Sequence, residues 1–505
     1  THPILDGPAS EGQELVARFM DPRGELLREE RIRLSAFGSA HGSLELGSAW
    51  ALGAYQVQFQ DPAGAWIGAA PLLRLEEYKL PEFEVQVRVA EREPGRPKVH
   101  VLGDTVEAEI EARTYFGAAV GGGAAEVIVR RKPLGVGLLP EPRWGWFAAG
   151  LRSPWEWDGW GWRAEEEVLR RSLVLDGEGR GKLSFETPAD DGQEWEYRIE
   201  ARVTDAARRE VSGSGSVRVR RQAYAVVLHS ERSVVRPGQT ARVQVRAEDA
   251  NGQPAAVSGR LTLSRARWVE VWRDPAGVVR SGAELSALRT PSGELPPGCM
   301  PLERRYAFEE LLGIDLNLDG NGRGEWLPQL PATGSYVVRW SSDDPQSGPV
   351  SAETWLYAAD ERTRSLDLPE QGLSIVFDAA SLAEGDEAAL LVLSDSSDRH
   401  VLFSLAAERL IEARVLHGGT AQLVRLPLDA RHVPNVFARA VSVRGGRVQR
   451  AAAELVVAPA RHFLNLSQRF DREVYRPGER GQLELLLTDR DGKPVQGELS
   501  VAVYD

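Results

Sequence analysis

The chain has 505 residues, with 61 Lys and Arg against 74 Asp and Glu and a net charge of −13. That balance excludes a general binder of nucleic acid or anionic membrane, which needs a cation excess to release counterions from phosphate. Hydrophobic content of 42% and charged content of 27% are those of folded protein, and the single cysteine, Cys299, excludes an intrachain disulfide framework while leaving the compartment open.

From the amino terminus, the start at Thr1 carries no charged n-region and no apolar h-region, so it reads as trimmed, with any targeting signal outside it. Gly12 precedes Leu15, Ala17 and Phe19, and the turn Asp21-Pro22-Arg23-Gly24 follows. Gly103 precedes Val106, Ala108, Ile110 and Ala112, which alternate with Glu107, Glu109, Glu111 and Arg113. This period of two predicts a strand with one buried and one wet face, the glutamates serving solubility and discouraging edge aggregation. Arg236-Pro237-Gly238 leads in the same register to Ala241, Val243, Val245 and Ala247, and Gly385 leads to Ala388, Leu390 and Val392. Arg476-Pro477-Gly478 opens a fifth copy. A second glycine stands fourteen residues after the first at Gly117, Gly252 and Gly492. Tyr55, Tyr197 and Tyr336 each head a late strand. Short strands, frequent turns and almost no helical periodicity predict an all-β chain of tandem antiparallel sandwiches. Only Glu165 to Arg171 and Leu302 to Leu312 offer short helices. No run of about 18 apolar residues exists, and the stretch from Ala451 to Ala460 is broken by Glu454.

Chemistry-bearing motifs are sparse. The eight histidines are scattered and include no His-Glu-x-x-His, and there is no Gly-x-Ser-x-Gly elbow, so neither a zinc site nor a catalytic residue is assigned. Gly177 to Leu183 imitates a phosphate loop but is one residue short and lacks Ser or Thr after Lys182, and Asp176 before it indicates a hairpin turn. Asp315, Asn317, Asp319 and Gly320 fit the first half of an EF-hand loop, yet position 12 is Trp326 instead of a bidentate glutamate. A polar β connection explains the same residues, so no metal or other cofactor is assigned. Six of the 14 tryptophans, Trp144, Trp146, Trp155, Trp157, Trp160 and Trp162, fall between Arg143 and Arg163. Their i, i+2 pairs place rings on one side of a strand. They form either an aromatic surface for a glycan, peptide or partner, or a long hairpin insertion that buries its own rings.

Several segments together resemble the bacterial α2-macroglobulin family. Glu77-Tyr78-Lys79-Leu80-Pro81-Glu82-Phe83-Glu84-Val85 is similar to the junction of that family's second and third macroglobulin-like domains. Tyr197 to Asp205 with Gly213-Ser214-Gly215 resembles the end of its third, Val433-Pro434-Asn435-Val436 a piece of its fifth, and Glu473 to Glu479 with Leu499 to Asp505 the start of its sixth. On this resemblance the expected modules are residues 1–78, 79–220 with a Trp-rich insertion at 132–168, 221–365 with an insertion at 266–326, 366–460, and a truncated module at 461–505. The family resembles protease traps, in which a peptidase cuts a bait segment and a thioester couples to the enzyme. Cys299 is followed by Met300, Pro301, Leu302 and Glu303, so the Cys-x-x-Gln-type thioester motif is not here, and the family places it and the bait farther downstream. The resemblance therefore implies a scaffold region of a periplasmic or envelope peptidase inhibitor, not an enzyme. Its partners would be peptidases and other domains of its own chain, with no nucleic acid and no membrane contact by this region. The alternatives are an envelope adhesion module built of sandwich spacers, and a polysaccharide enzyme using the tryptophans. No acid/base pair can be picked out for the latter.

Overall fold

Alternation of apolar and polar residues becomes strand almost throughout the computed structural model of the protein, which describes residues 12–43, 46–47, 50–75, 83–93, 96–134, 143–151, 165–189, 193–290, 294–369, 372–395, 399–444, 446–476 and 478–501. Two compact units are present, one of Thr1–Pro81 with His462–Asp505, the other Glu82–Arg461. The first holds β1 (Glu14–Met20), β2 (Leu26–Arg33), β3 (Gly53–Gln60) and β4 (Trp66–Leu75) in the antiparallel order β2-β1-β3-β4. Among the described residues Ala17, Leu34, Tyr55 and Val57 are its buried hydrophobic side chains.

The larger unit contains three successive two-sheet layers. The first has β5 (Phe83–Val89), the ribbon β6 (Glu91–Glu93) with β7 (Arg96–Pro97), β8 (His100–Val101), β9 (Thr105–Thr114), β10 (Ala124–Pro133), β11 (Glu166–Val174), β12 (Arg180–Glu186), β13 (Trp195–Thr204) and β14 (Glu210–Arg220). Sheet β11-β10-β13-β14-β8 faces sheet β12-β9-β5 across Val106, Ile110, Val127, Val129, Ile199 and Val203, all fully buried. Each such side chain stabilises by about 1.5–3 kcal/mol over exposure. Gly213 and Gly215 on β14 set how closely the sheets approach. A Cβ on Gly213 would stand 2.0 Å from the Val85 carbonyl oxygen, and one on Gly215 would stand 2.6 Å from that of Val87. On the wet face of β9, Glu111 meets Arg113 at 2.6 Å and Arg88 at 3.2 Å, so the acidic row is partly neutralised in place.

The second layer pair has β15 (Tyr224–Ser230), β16 (Val234–Val235), β17 (Val243–Asp249), β18 (Ser258–Arg273), β19 (Val279–Ser281), β20 (Met300–Asn317), β21 (Arg323–Trp326), β22 (Gly334–Asp344) and β23 (Gly348–Ala358). Sheet β15-β17-β21 packs on β16-β23-β22-β18-β19, with β20 on the other side of β18, around fully buried Trp340, Tyr336, Leu261 and Leu263. The third has β24 (Ser374–Phe377), β25 (Ser381–Ala383), β26 (Glu387–Leu393), β27 (His400–Ala406), β28 (Leu410–His417), β29 (Ala421–Pro427), β30 (Asn435–Arg444) and β31 (Arg447–Ala458), in sheets β24-β26-β29 and β25-β31-β30-β27-β28. In all three, one short parallel pair joins an early strand to the last: β8 with β14, β16 with β23, and β25 with β31. In the smaller unit, β32 (Asn465–Phe470) pairs antiparallel with β33 (Leu483–Thr488).

The repeat glycines are backbone requirements. Gly12, Gly24, Gly103, Gly117, Gly238, Gly252, Gly385, Gly478 and Gly492 all adopt φ between 79° and 95°, where a Cβ is penalised. After Gly24 the chain returns directly as β2, beside β1. After Gly117 and Gly252, spaced two residues farther on, it makes one bridge (Arg113 to Ala119, Glu248 to Pro254) and then crosses to the opposite sheet. Two of the head-of-strand tyrosines are corners: Tyr55 Oη donates to the Ala51 carbonyl at 2.7 Å and Tyr336 Oη to that of Ala332 at 2.6 Å.

Several expectations are corrected. Glu165 to Arg171 and Leu302 to Leu312 are not helical but lie largely in β11 and β20. Their helix-forming Glu, Arg and Leu content yields to sheet pairing, with Leu169 and Leu173 packed on the core. Within the span 266–326, β18 and β20 run on together past the end of β22 to Arg273 and Met300. Two α-helices appear among the described residues, α1 (Gly145–Leu151) and α2 (Gly282–Leu288).

Candidate functional site

The motif residues fall apart in the structure. Asp176 does make a turn, its Oδ1 accepting from the N–H groups of Glu178 and Arg180 at 2.9 Å, but β11 and β12 on either side belong to different sheets, so it is a crossing and not a hairpin. Asp315 and Asn317 lie in β20, with Asp315 3.7 Å from Arg260, and Asp319 Oδ1 is taken up by the N–H groups of Asn321 and Arg323. They do not converge on a cation as an EF-hand loop would. Among the described residues no group of three or more His, Cys, Asp or Glu is arranged to hold a metal ion. His400 and His417 stack across β27 and β28 with ring centroids 4.2 Å apart. Trp144 is half-buried beneath Arg143 and Trp146 is 65% exposed. Both sit at the start of α1, not on a strand, and the buried Phe147 beside them anchors a helix that lies against β31. Trp155, Trp157, Trp160 and Trp162 lie outside the described residues.

The most developed polar arrangement joins successive layers of the larger unit. Val101, from the β8 strand, is part of the hydrophobic core built by residues 223–358. Arg218 Nη1 donates to the Asn251 carbonyl at 3.1 Å, and Gln346 Nε2 reaches the Val99 carbonyl at 3.4 Å and Asp104 Oδ2 at 3.3 Å. His100 beside them is fully buried, and among the described residues neither ring nitrogen has a hydrogen-bond partner; burial holds its pKa below the usual imidazole value and favours the neutral form.

At the next join, Asp378 is 3% exposed. Its Oδ2 lies 2.6 Å from Arg232 Nη1, which also donates to the Glu387 carbonyl at 2.7 Å, and its Oδ1 accepts from the Ala389 N–H at 3.0 Å. Burial pushes the Asp378 carboxyl up, and Arg232 and the Ala389 N–H draw it back toward the charged form. The Ser233 N–H donates to the Asp378 carbonyl and the Tyr357 N–H to that of Ser233, each at 2.7 Å. Beneath them Val234 and Ala359 pack with Leu391 and Ala421 around Leu366. On the rim, Glu361 holds Arg425 at 2.9 Å and Arg236 at 3.8 Å, and Arg425 reaches Glu387 at 2.7 Å. The Glu361 carboxyl is held below its ordinary value by its own backbone N–H and by Arg425. Apolar packing, an ion pair with its carboxylate buried and backbone bonds at one seam make a stiff connection.

No family model matches the chain. Two curated proteins are similar to it. An alpha-2-macroglobulin homolog of Nostoc sp. is 21% identical over 509 residues, covering 96% of this chain and 24% of that protein. The alpha-2-macroglobulin of Thermotoga maritima is 23% identical over 249 residues, covering 49% of this chain and 14% of its own. Among solved structures, native Escherichia coli alpha-2-macroglobulin aligns at a TM-score of 0.39 and 16% identity, over 97% of this chain and 30% of that one. The trypsin-activated Escherichia coli alpha-2-macroglobulin aligns at 0.42 and 15%, over 96% and 31%. The chain thus spans about a quarter of the alpha-2-macroglobulin it matches over nearly its whole length.

Proposed function

We propose that these 505 residues are the scaffold region of an alpha-2-macroglobulin-type, broad-spectrum peptidase inhibitor of the cell envelope. In this reading they form four macroglobulin-like modules and the beginning of a fifth, at the boundaries expected from the sequence. The observation that carries the reading is the 96% coverage of this chain by its alignment with the Nostoc sp. protein. The buried seam at Arg232 and Asp378 supports a framing role, because it fixes one layer pair on the next. The region would act by holding other parts of the protein in place, and peptidases would be met by the whole molecule.

The test is incubation of the full-length protein with several unrelated peptidases. Expected are one limited cut in the inhibitor and loss of peptidase activity toward large substrates with activity toward small peptides retained. Unchanged activity toward large substrates, without any limited cut, would overturn the reading. Fractionation of the source cells checks the envelope assignment, which a cytosolic protein contradicts.

A further inference from the structure

The long strand β20 pairs with β18 along one side, and among the described residues no other strand pairs with it. Between Glu303 and Glu310 that pairing runs without a bulge, so the free edge is regular there. Such an edge presents unpaired N–H and C=O groups to another chain. Phe308 is 44% exposed, and Leu302 and Leu312 at the two ends are 47% and 48% exposed. Natural edges are usually guarded by charges. Here the guards are Arg304 and Arg305 on one side of Ala307, with Glu309 and Glu310 on the other.

We infer that β20 is a self-docking edge at which a second copy of this chain adds antiparallel about Ala307. In that register Arg304 stands opposite Glu310, Arg305 opposite Glu309 and Tyr306 opposite Phe308, all within the unbulged stretch and each contact occurring twice by the two-fold axis. Pairs on both faces of the ribbon are complementary, since 304, 306, 308 and 310 share one face and 305, 307 and 309 the other. A parallel addition in register sets like charges side by side and is disfavoured. Each charge has an intrachain partner, Arg304 with Glu270 at 3.2 Å, Arg305 with Glu303 at 2.6 Å, Glu309 with Arg267 at 3.5 Å and Glu310 with Arg260 at 3.5 Å. All but that of Glu270 are substantially exposed pairs, weak enough to be exchanged. Tyr306 already packs on Trp268 and Trp355 at centroid distances of 5.0 and 4.9 Å, so a partner's Phe308 would extend an existing aromatic row. A single strand pair buries less than the roughly 1,600 Å² of a standard interface, so the dimer is of micromolar strength and weakens with salt.

Sedimentation equilibrium of the 505-residue protein, without any peptidase present, tests this independently of the inhibitor reading. The expected result is mass doubling across the micromolar range, reversed by salt. Arg304→Glu with Arg305→Glu, and separately Glu309→Arg with Glu310→Arg, should each weaken self-association at least about tenfold, as four like-charge contacts replace four favourable ones. Mixing the two variants should restore a mass-doubled species. The fourfold swap carrying all these substitutions should dimerise alone, which guards against misfolding of either parent variant. A wild-type protein that stays monomeric, double variants that dimerise like wild type, or a fourfold swap that does not dimerise would each overturn the inference.

Discussion

Replacing Asp378 by alanine removes one carboxylate from a seam where little water can substitute for it. Asp378 is 3% exposed, whereas the Arg232 side chain is 35% exposed, so the guanidinium left behind can partly rehydrate. Loss of one charge-assisted bond to Arg232 and one to the Ala389 N–H, at about 1–2 kcal/mol each after that discount, gives a local cost of about 3 kcal/mol. Because three layer pairs share the larger unit, a global melting curve is the wrong readout. Amide hydrogen exchange followed by mass spectrometry is better, reading peptides that carry the Ser233, Tyr357 and Ala389 amides. A 3 kcal/mol loss predicts exchange about 150-fold faster there, with peptides from β9 and β10 unchanged. Combining Asp378→Ala with Arg232→Met should cost less than the sum of the two, with a coupling of about 2 kcal/mol. An acceleration below about twofold, or strict additivity, would refute the assignment of this ion pair as the fastening of the seam.

Tyr336→Phe and Tyr55→Phe each leave a carbonyl without its hydroxyl donor and should destabilise by about 1–2 kcal/mol, read as lower denaturation midpoints of the strands they corner. Gly213→Ala forces a Cβ onto the Val85 carbonyl and should cost about 3 kcal/mol, while Gly348→Ala, at φ 78° with nothing within 4 Å of the added atom, should cost only about 1 kcal/mol; urea titration compares them. Asp471 is held at about 2, below its ordinary 3.8, by the Tyr475 hydroxyl, the Gln482 N–H and Arg472. A depressed acid contributes stability above its unfolded value, so the β32–β33 pair should keep this support above about pH 4 and lose it as pH falls toward 2. Tyrosine fluorescence of the protein against an Asp471→Asn variant, already lacking the pH response, measures it.

What could be read in the sequence was what acts over a few residues. The glycines near 12, 103, 238, 385 and 478 announced left-handed backbone, and their spacing to the next glycine encoded return or crossing, as the shorter interval at Gly24 shows. Tyr55 and Tyr336 were legible for the same reason, since each bonds only four residues upstream. Asp378 and Arg232 are 146 residues apart and neither stands in a motif, so their pairing emerges only when the layers are assembled. The helical look of Leu302 to Leu312 failed because composition alone cannot report that β18 lies alongside it. The half-fit of Asp315 to Gly320 to a calcium loop failed because the same oxygen-rich residues also build β turns.

The short parallel pairs β8 with β14, β16 with β23 and β25 with β31 carry a consequence under load. Tension along the chain meets β5, β15 or β24 first, and once these give way it loads one member of each pair from the amino-terminal side and the other from the carboxy-terminal side. The two strands must then slide lengthwise past each other, and their bonds, which run across the direction of pull, are strained together instead of being peeled one at a time. Each layer pair therefore yields as a discrete step, and the chain extends in increments while the remaining sandwiches stay intact.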